Sequence, residues 1–199
     1  MTRYVMVIDL NTCVGCNACM AACSLENQTP VWSDHWRTYV HDRESGAGNS
    51  VRRHFIPRLC NHCSNPPCMT VCPTGATYRT SDGVVLVDES LCMGCQACAL
   101  ACPYKARYPY THADIKTGKE YYGALRRKAP SMDKCSFCHH RLKVGELPAC
   151  VRTCPGGSRM LGDLDNAAHP VAELVHNGTA KPLLAHLGTR PNVYYIPQR

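Results

Sequence analysis

Sixteen of the 199 residues are cysteine, and they fall into four groups of four. The first is Cys13, Cys16, Cys19 and Cys23, spaced C-x2-C-x2-C-x3-C. The third, Cys92, Cys95, Cys98 and Cys102, repeats that spacing and is followed by Pro103. The second, Cys60, Cys63, Cys68 and Cys72, widens its middle gap to the four residues Ser64, Asn65, Pro66 and Pro67. The fourth, Cys135, Cys138, Cys150 and Cys154, opens that gap to eleven residues. Pro73 and Pro155 follow the fourth cysteines of the second and fourth groups, and no cysteine is left over.

Thiols at this density serve as disulfides, zinc ligands or iron–sulfur ligands. C-x2-C-x2-C-x3-C-P is the bacterial ferredoxin run, in which three thiolates hold one cubane cluster and the fourth ligates its neighbour. Zinc sites pair two C-x2-C knuckles across a longer gap and do not demand a third cysteine two residues on. Two full runs and two variants in register therefore read as iron–sulfur. Sixteen thiolates at four per cluster supply four 4Fe-4S clusters and leave no iron open to substrate. The chain is expected to conduct electrons and not to be an enzyme in itself, and it offers no catalytic residue. Within each run the fourth cysteine is expected at the start of a helix, pointing away from the first three. Gly15 and Gly94, each just before a second cysteine, are expected where backbone must approach inorganic sulfide closely.

These runs need elements to position them. Runs two and three are separated by Pro73 to Leu91, which reads as a hairpin with strands at 76–80 and 84–88 about the turn Ser81-Asp82-Gly83. Two runs joined by a hairpin are the plan of a two-cluster ferredoxin, so runs one and four are left to form a second module around it. Sequential pairing of run one with two and of three with four remains the alternative. With only 2 Phe and 2 Trp the chain is poor in large hydrophobes, and something must staple it. No stretch approaches 18 consecutive apolar residues, so no membrane span is expected. Met1 to Leu10 is a short strand-like run, not a signal peptide, and Arg52-Arg53 lies mid-chain, where it cannot act as an export signal. The chain is thus expected to fold in the cytoplasm, a reducing place that disfavours disulfides.

The formal charge of +7 is uneven. Residues 1–102 carry 7 Lys/Arg and 8 Asp/Glu, net −1; residues 103–134 carry 8 and 3, net +5; residues 135–199 carry 7 and 4, net +3. Sixteen thiolates and four oxidised Fe4S4 cores, at +2 each, would bring +7 to about −1, so the basic stretches balance cluster charge.

The order and spacing of all four runs, the widened second run, the eleven-residue gap of the fourth, Gly162-Asp163-Leu164 and Gly188-Thr189-Arg190-Pro191 resemble the four-cluster electron-transfer (beta) subunits of molybdopterin oxidoreductases of the dimethyl sulfoxide reductase superfamily. The likeness to polysulfide, tetrathionate and thiosulfate reductase subunits runs from about Tyr4 to Tyr195. It implies an α+β fold of two bacterial-ferredoxin-like modules, one nested in the other, with long loops and a C-terminal extension. It implies cluster 1 on Cys13, Cys16, Cys19 and Cys154, and cluster 2 on Cys60, Cys63, Cys68 and Cys102. Cluster 3 would lie on Cys72, Cys92, Cys95 and Cys98, and cluster 4 on Cys23, Cys135, Cys138 and Cys150. The implied partners are a large molybdopterin (bis-guanine dinucleotide) catalytic subunit and an integral membrane, quinone-reactive subunit. The implied place is the inner membrane, peripheral through partners, on the periplasmic face by co-export with the catalytic subunit or, alternatively, in the cytoplasm. A polyferredoxin-type subunit of a cytoplasmic formate dehydrogenase or hydrogenase is the competing function. A zinc-stabilised nucleic-acid module is the competing class.

The expected organisation is a first outer half at 1–59, an inner module at 60–105, a basic Tyr-rich insertion at 106–134, a second outer half at 135–160 and a docking tail at 161–199. Trp32 and Trp36 read as local core. The insertion and its approach, with Tyr104, Tyr108, Tyr110, Tyr121, Tyr122, Arg107, Arg126, Arg127 and Lys128, read as a solvated docking face, not a nucleic-acid site. His62, His139 and His140 read as hydrogen-bond donors near clusters or as surface residues, not ligands. Lys105, Lys134 and Arg141 are the candidate cations for raising cluster potentials. The tail is expected to hold a short helix at 170–176 and an extended end at 193–197, and losing residues 180–199 is expected to leave iron content near normal.

Overall fold

The computed structural model describes residues 2–33, 35–127 and 129–198. Lys128, counted above in the basic segment, lies outside them, as do Met1, Asp34 and Arg199. In chain order the elements are β1 (Tyr4–Asp9), α1 (Ala18–Asn27), β2 (Thr38–Ser45), β3 (Arg52–Leu59), α2 (Pro67–Thr70), β4 (Thr77–Arg79) and β5 (Val85–Val87). They continue with α3 (Ala97–Leu100), β6 (Tyr108–Tyr110), α4 (His112–Tyr122), β7 (Ser131–Asp133), α5 (His139–Leu142), α6 (Ala149–Arg152), β8 (Arg159–Asp163), α7 (Pro170–His176), β9 (Lys181–Pro182) and β10 (Val193–Ile196).

One sheet has the order β8-β1-β10-β9, with β1 antiparallel to β8 and parallel to β10. The run YVMVID of β1 is apolar on both faces because both faces are covered, and Val5 to Ile8 are fully buried. Val5 and Val7 pack beneath α7 with Leu164, Val171, Ala172 and Ala180. Met6 and Ile8 point the other way, into a core that includes Cys19, Cys60, Cys135, Cys150 and Phe137. Thiols thus fill space that large aliphatics occupy elsewhere.

The expected hairpin between runs two and three is present as β4 and β5. The helix at 170–176 and the extended end are also present, as α7 and β10. The tail, however, is no appendage: β9, β10 and most of β8 come from residues 161–199, and Val193 and Tyr195 are buried in the sulfur-rich core. Asn192 accepts from Ser64 and donates to the His62 carbonyl at 2.7 Å, and the Thr189 hydroxyl meets that of Tyr104 at 2.7 Å. Removing residues 180–199 would take from β1 its parallel partner, so near-normal iron content after that deletion is no longer expected.

The segment read as a solvated face is half structural. Tyr104, Arg107, Tyr108 and Tyr110 are buried: Tyr108 and Tyr110 lie on β6, which pairs with β7, Tyr104 meets Thr189 of the tail, and Arg107 reaches Thr77 and Cys68. The helix α4 begins on a capping box: Thr111 Oγ1 accepts from the Asp114 backbone N–H, and the Asp114 carboxylate accepts from that of Thr111. Trp32 Nε1 donates to Asp114 Oδ1 at 3.0 Å, and Trp36 packs on the main core, so both tryptophans are local core. Arg37 and Arg127 converge on buried Asp133, joining the 24–59 segment to the 106–134 segment.

Candidate functional site

Each run has the same local plan. A loop carries its first two cysteines, and a helical turn begins within a residue of the third: α1 for Cys19, α2 for Cys68, α3 for Cys98 and α6 for Cys150. The fourth cysteine falls one turn later, inside α1 for Cys23 and just past the helix end for Cys72, Cys102 and Cys154. The expectation that the fourth cysteine starts a helix is therefore corrected. With 3.6 residues and 5.4 Å per turn, residues i and i+4 share a face one above the other, which is how a single turn can present two thiols to two adjacent sites.

The residue before the second cysteine has positive φ in all four runs: Gly15 at 68°, His62 at 43°, Gly94 at 74° and Phe137 at 50°. The loop geometry itself explains the glycines. A Cβ on Gly15 would also lie 2.4 Å from the Phe55 ring, while one on Gly94 meets no other protein atom within 4 Å. In runs two and four the position is held by His62 and Phe137, whose rings stack at 3.8 Å between centroids. Burial, then the charges of Lys134 and Arg107, hold the His62 imidazole well below its ordinary pKa. It accepts from the Val85 N–H at 3.1 Å and is fully buried, so the donor or surface role expected for it is not what the structure shows. His139 and His140 engage Asp82 and Glu26.

The thiols meet across runs. One small pocket is lined by Cys13, Cys16, Cys19 and Cys154, together with Arg159. Another is lined by Cys60, Cys63, Cys68 and Cys102, together with Arg107. Cys23 lies within electrostatic reach of Cys135, Cys138 and Cys150, and Cys98 within reach of Cys72 and Cys92. Cys95 is exposed. The sets also approach one another, Cys19 to Cys150 and Cys60 to Cys135. Among the described residues no three His, Cys, Asp or Glu side chains converge as they would on a single ion. Thiols spread around a cavity suit a polynuclear cluster, whose irons each take one thiolate.

Burial pushes Cys23 well above the ordinary thiol pKa and raises Cys63 and Cys135 to about 12, with neighbouring thiols adding to it. Metal loading must strip those protons. Cys72 and Cys154 behave in the opposite way. Burial works against them, but hydrogen bonds from Thr77 and Thr74 bring Cys72 down, and those from Ser158, Arg159 and Gly156 bring Cys154 down.

Two residues that the reading of the sequence missed as site residues stand at these sulfurs. Arg107 Nη2 donates to Cys68 Sγ at 3.2 Å, and Arg159 Nη2 donates to Cys19 Sγ at 3.3 Å. Each also donates to a threonine, Arg107 to Thr77 and Arg159 to Thr38. The signal was present: Cys102 and Cys154 each open the pattern C-P-x3-R, ending at Arg107 and Arg159. Of the three cations expected to act on potentials, Lys134 is buried beside Cys135, Arg141 is neutralised by Glu26 and Glu146, and Lys105 is exposed.

Known proteins share these runs. Two models described as 4Fe-4S dicluster domain match residues 12–76 and 51–164. A tetrathionate reductase subunit of Salmonella typhimurium is 39% identical over 98% of this chain and 72% of its own length. A selenate reductase subunit of Mesobacillus selenatarsenatis is 39% identical over 98% and 72%. The arsenate respiratory reductase iron–sulfur subunit of a Shewanella species is 36% identical over 98% and 96%. With sixteen cysteines for four 4Fe-4S clusters and relatives aligned over nearly its whole length, the chain belongs to the non-catalytic, electron-transfer iron–sulfur subunits of the dimethyl sulfoxide reductase family.

Proposed function

We propose that the chain conducts electrons between an integral membrane, quinone-reactive subunit and a large catalytic subunit carrying molybdopterin as the bis-guanine dinucleotide. The ligand sets are the crossed ones: Cys13, Cys16, Cys19 and Cys154; Cys23, Cys135, Cys138 and Cys150; Cys60, Cys63, Cys68 and Cys102; Cys72, Cys92, Cys95 and Cys98. When bound, each cluster takes up and releases one electron. The order 1, 4, 2, 3 for these sets is supported by the approach of Cys19 to Cys150 and of Cys135 to Cys60, and by the contact of Arg107 with both Cys68 and Cys98. On this reading one ferredoxin module, runs two and three, is nested within the other.

The observation that carries this reading is the alternation of exposure. The second cysteines of runs one and three, Cys16 and Cys95, are exposed, whereas their counterparts Cys63 and Cys138 are buried. A conductor needs two accessible ends and an insulated middle, and clusters 1 and 3 occupy the ends. Exposed Val14 beside Cys16, and exposed Leu91, Met93 and Leu100 around Cys95, give each end an apolar rim suited to a protein partner.

Among the described residues no helix is long and apolar enough to cross a membrane, so membrane attachment would run through the partner. Placement on the periplasmic face would follow from export of the folded, cluster-bearing chain with a signal-bearing catalytic subunit. Affinity capture from solubilised membranes tests the assignment. Co-purification of a molybdenum-containing large chain and an integral membrane chain is expected, with the captured complex shielded from protease until the outer membrane is opened. Recovery with a soluble formate dehydrogenase or hydrogenase, without a membrane chain, would overturn it in favour of the polyferredoxin alternative.

A further inference from the structure

Three buried cations lack a carboxylate partner among the described residues: Arg107, Lys134 and Arg159, each at most 5% exposed. Burying a charge without a partner is costly, so each needs a nearby anion. Their positions say which. Arg159 donates to Cys19 in set 1 and reaches Cys150 in set 4. Arg107 donates to Cys68 in set 2 and reaches Cys98 in set 3. Lys134 donates to the Cys135 carbonyl, and its charge acts on both Cys135 in set 4 and Cys68 in set 2. Each arginine also retains one N–H without a hydrogen-bond partner among the described residues, Nε of Arg107 and Nη1 of Arg159. By contrast, Arg37, partly buried near Cys23, is matched by Asp133.

We infer that Arg159, Lys134 and Arg107 form a row of cations, one in each gap of the cluster order 1, 4, 2, 3, that raises the reduction potentials of the clusters on both sides of its gap. The inference rests on the crossed ligand sets proposed above. Its physical basis is direct. A reduced cluster with four thiolates carries one more negative charge than the oxidised one, and a fixed cation in a low-dielectric site favours the more negative form. Hydrogen bonds to ligand sulfur act in the same direction. The two arginines stand at equivalent places in the two modules, five residues after the proline-flanked cysteine that completes the set they touch. That repetition ties the device to the run and not to one accident of packing.

The test is an EPR-monitored potentiometric titration of the anaerobically purified four-cluster protein and its Arg159→Gln, Lys134→Gln and Arg107→Gln variants. Glutamine keeps a donor and removes the charge. Each variant is expected to lower two of the four midpoint potentials, by on the order of tenfold in the reduction equilibrium, which is about 59 mV for one electron. The affected pairs should overlap in a chain: the Arg159 and Lys134 variants share one cluster, the Lys134 and Arg107 variants share another, and the two arginine variants share none. Fully loaded variants with unmoved potentials, or with all four moved equally, would overturn the inference. Where a glutamine variant fails to hold iron, Arg159→Lys, Arg107→Lys and Lys134→Arg decide. Four clusters at near-native potentials support a charge role, and iron loss in these variants too reduces the residue to a structural strut. A failure of the ligand sets themselves would instead appear in iron counts of cysteine variants, which do not touch the cations.

Discussion

Runs two and four face each other across the interior, whereas runs one and three face outward. The chemistry of all four is nearly the same, yet the residue before the second cysteine differs: His62 and Phe137 inside, Gly15 and Gly94 outside. The backbone demands positive φ at all four, which costs a residue with a side chain roughly 1–2 kcal/mol. Outside, glycine removes that cost. Inside, a buried ring pair accepts it and in return fills the junction between modules, where Phe137 is 1% exposed and His62 fully buried. The comparison teaches that one loop geometry serves two ends: a small residue where a cluster must be reached from outside, and a large one where two modules must be held together.

Several substitutions break or sharpen that contrast. The largest effect is expected at the interior: Phe137→Ala removes a buried ring without relieving its backbone and should cost about 3–5 kcal/mol. Anaerobic denaturant titration followed by cluster absorbance measures it, and a cost near zero would remove the junction from the account. Next is Gly15→Ala, which adds a left-handed side chain and drives a Cβ into Phe55, for about 2–4 kcal/mol in the same assay. Gly94→Ala meets no other protein atom and should cost only the backbone share, about 1–2 kcal/mol. If Gly15→Ala and Gly94→Ala cost the same, Phe55 does not constrain the first loop.

The smallest effect lies away from the clusters, at the α4 capping box. Asp114→Asn should cost about 1 kcal/mol. Burial pushes the Asp114 carboxyl up, but hydrogen bonds from Thr111 and Trp32 more than offset this and hold it below the ordinary carboxylate range. Its folded pKa being depressed, its contribution is present above the unfolded value near 4 and is lost as pH falls through the folded one. Stability curves of wild type and variant should therefore converge on acidification, and curves that stay parallel down to acid pH would contradict the cap.

Much of this was readable from the cysteines alone, because ligand spacing is a local constraint that a cluster imposes on the chain. The β4–β5 hairpin and α7 were readable for the same reason, being set by turn residues and a proline start. What was not readable depended on contacts distant in sequence. Nothing local in VYYI shows that it lies parallel to β1, 187 residues away at Met6 and Val193. Arg107 read as one basic residue in a basic stretch; the C-P-x3-R pattern sets it apart from exposed Arg126, but its contact with Cys68, 39 residues away, is what gives that pattern a meaning. Tyr108 and Tyr110 read as a surface because their sequence context does not reveal which side of β6 is covered, and nothing local to Tyr104 shows that Leu183 and Thr189 will meet it.

The central claim is that fourth cysteines cross between runs, so that Cys154 completes the set of Cys13, Cys16 and Cys19 while Cys23 completes that of Cys135, Cys138 and Cys150. Iron analysis with EPR of the anaerobic protein and single Cys→Ala variants tests it most directly. About 16 Fe and no stoichiometric zinc are expected in the wild type. Cys13→Ala and Cys154→Ala are expected to delete or convert the same cluster signal, and Cys23→Ala and Cys150→Ala to act together on a different one. A Cys154→Ala variant that perturbs the same signal as Cys150→Ala, or a colourless zinc protein, would contradict it.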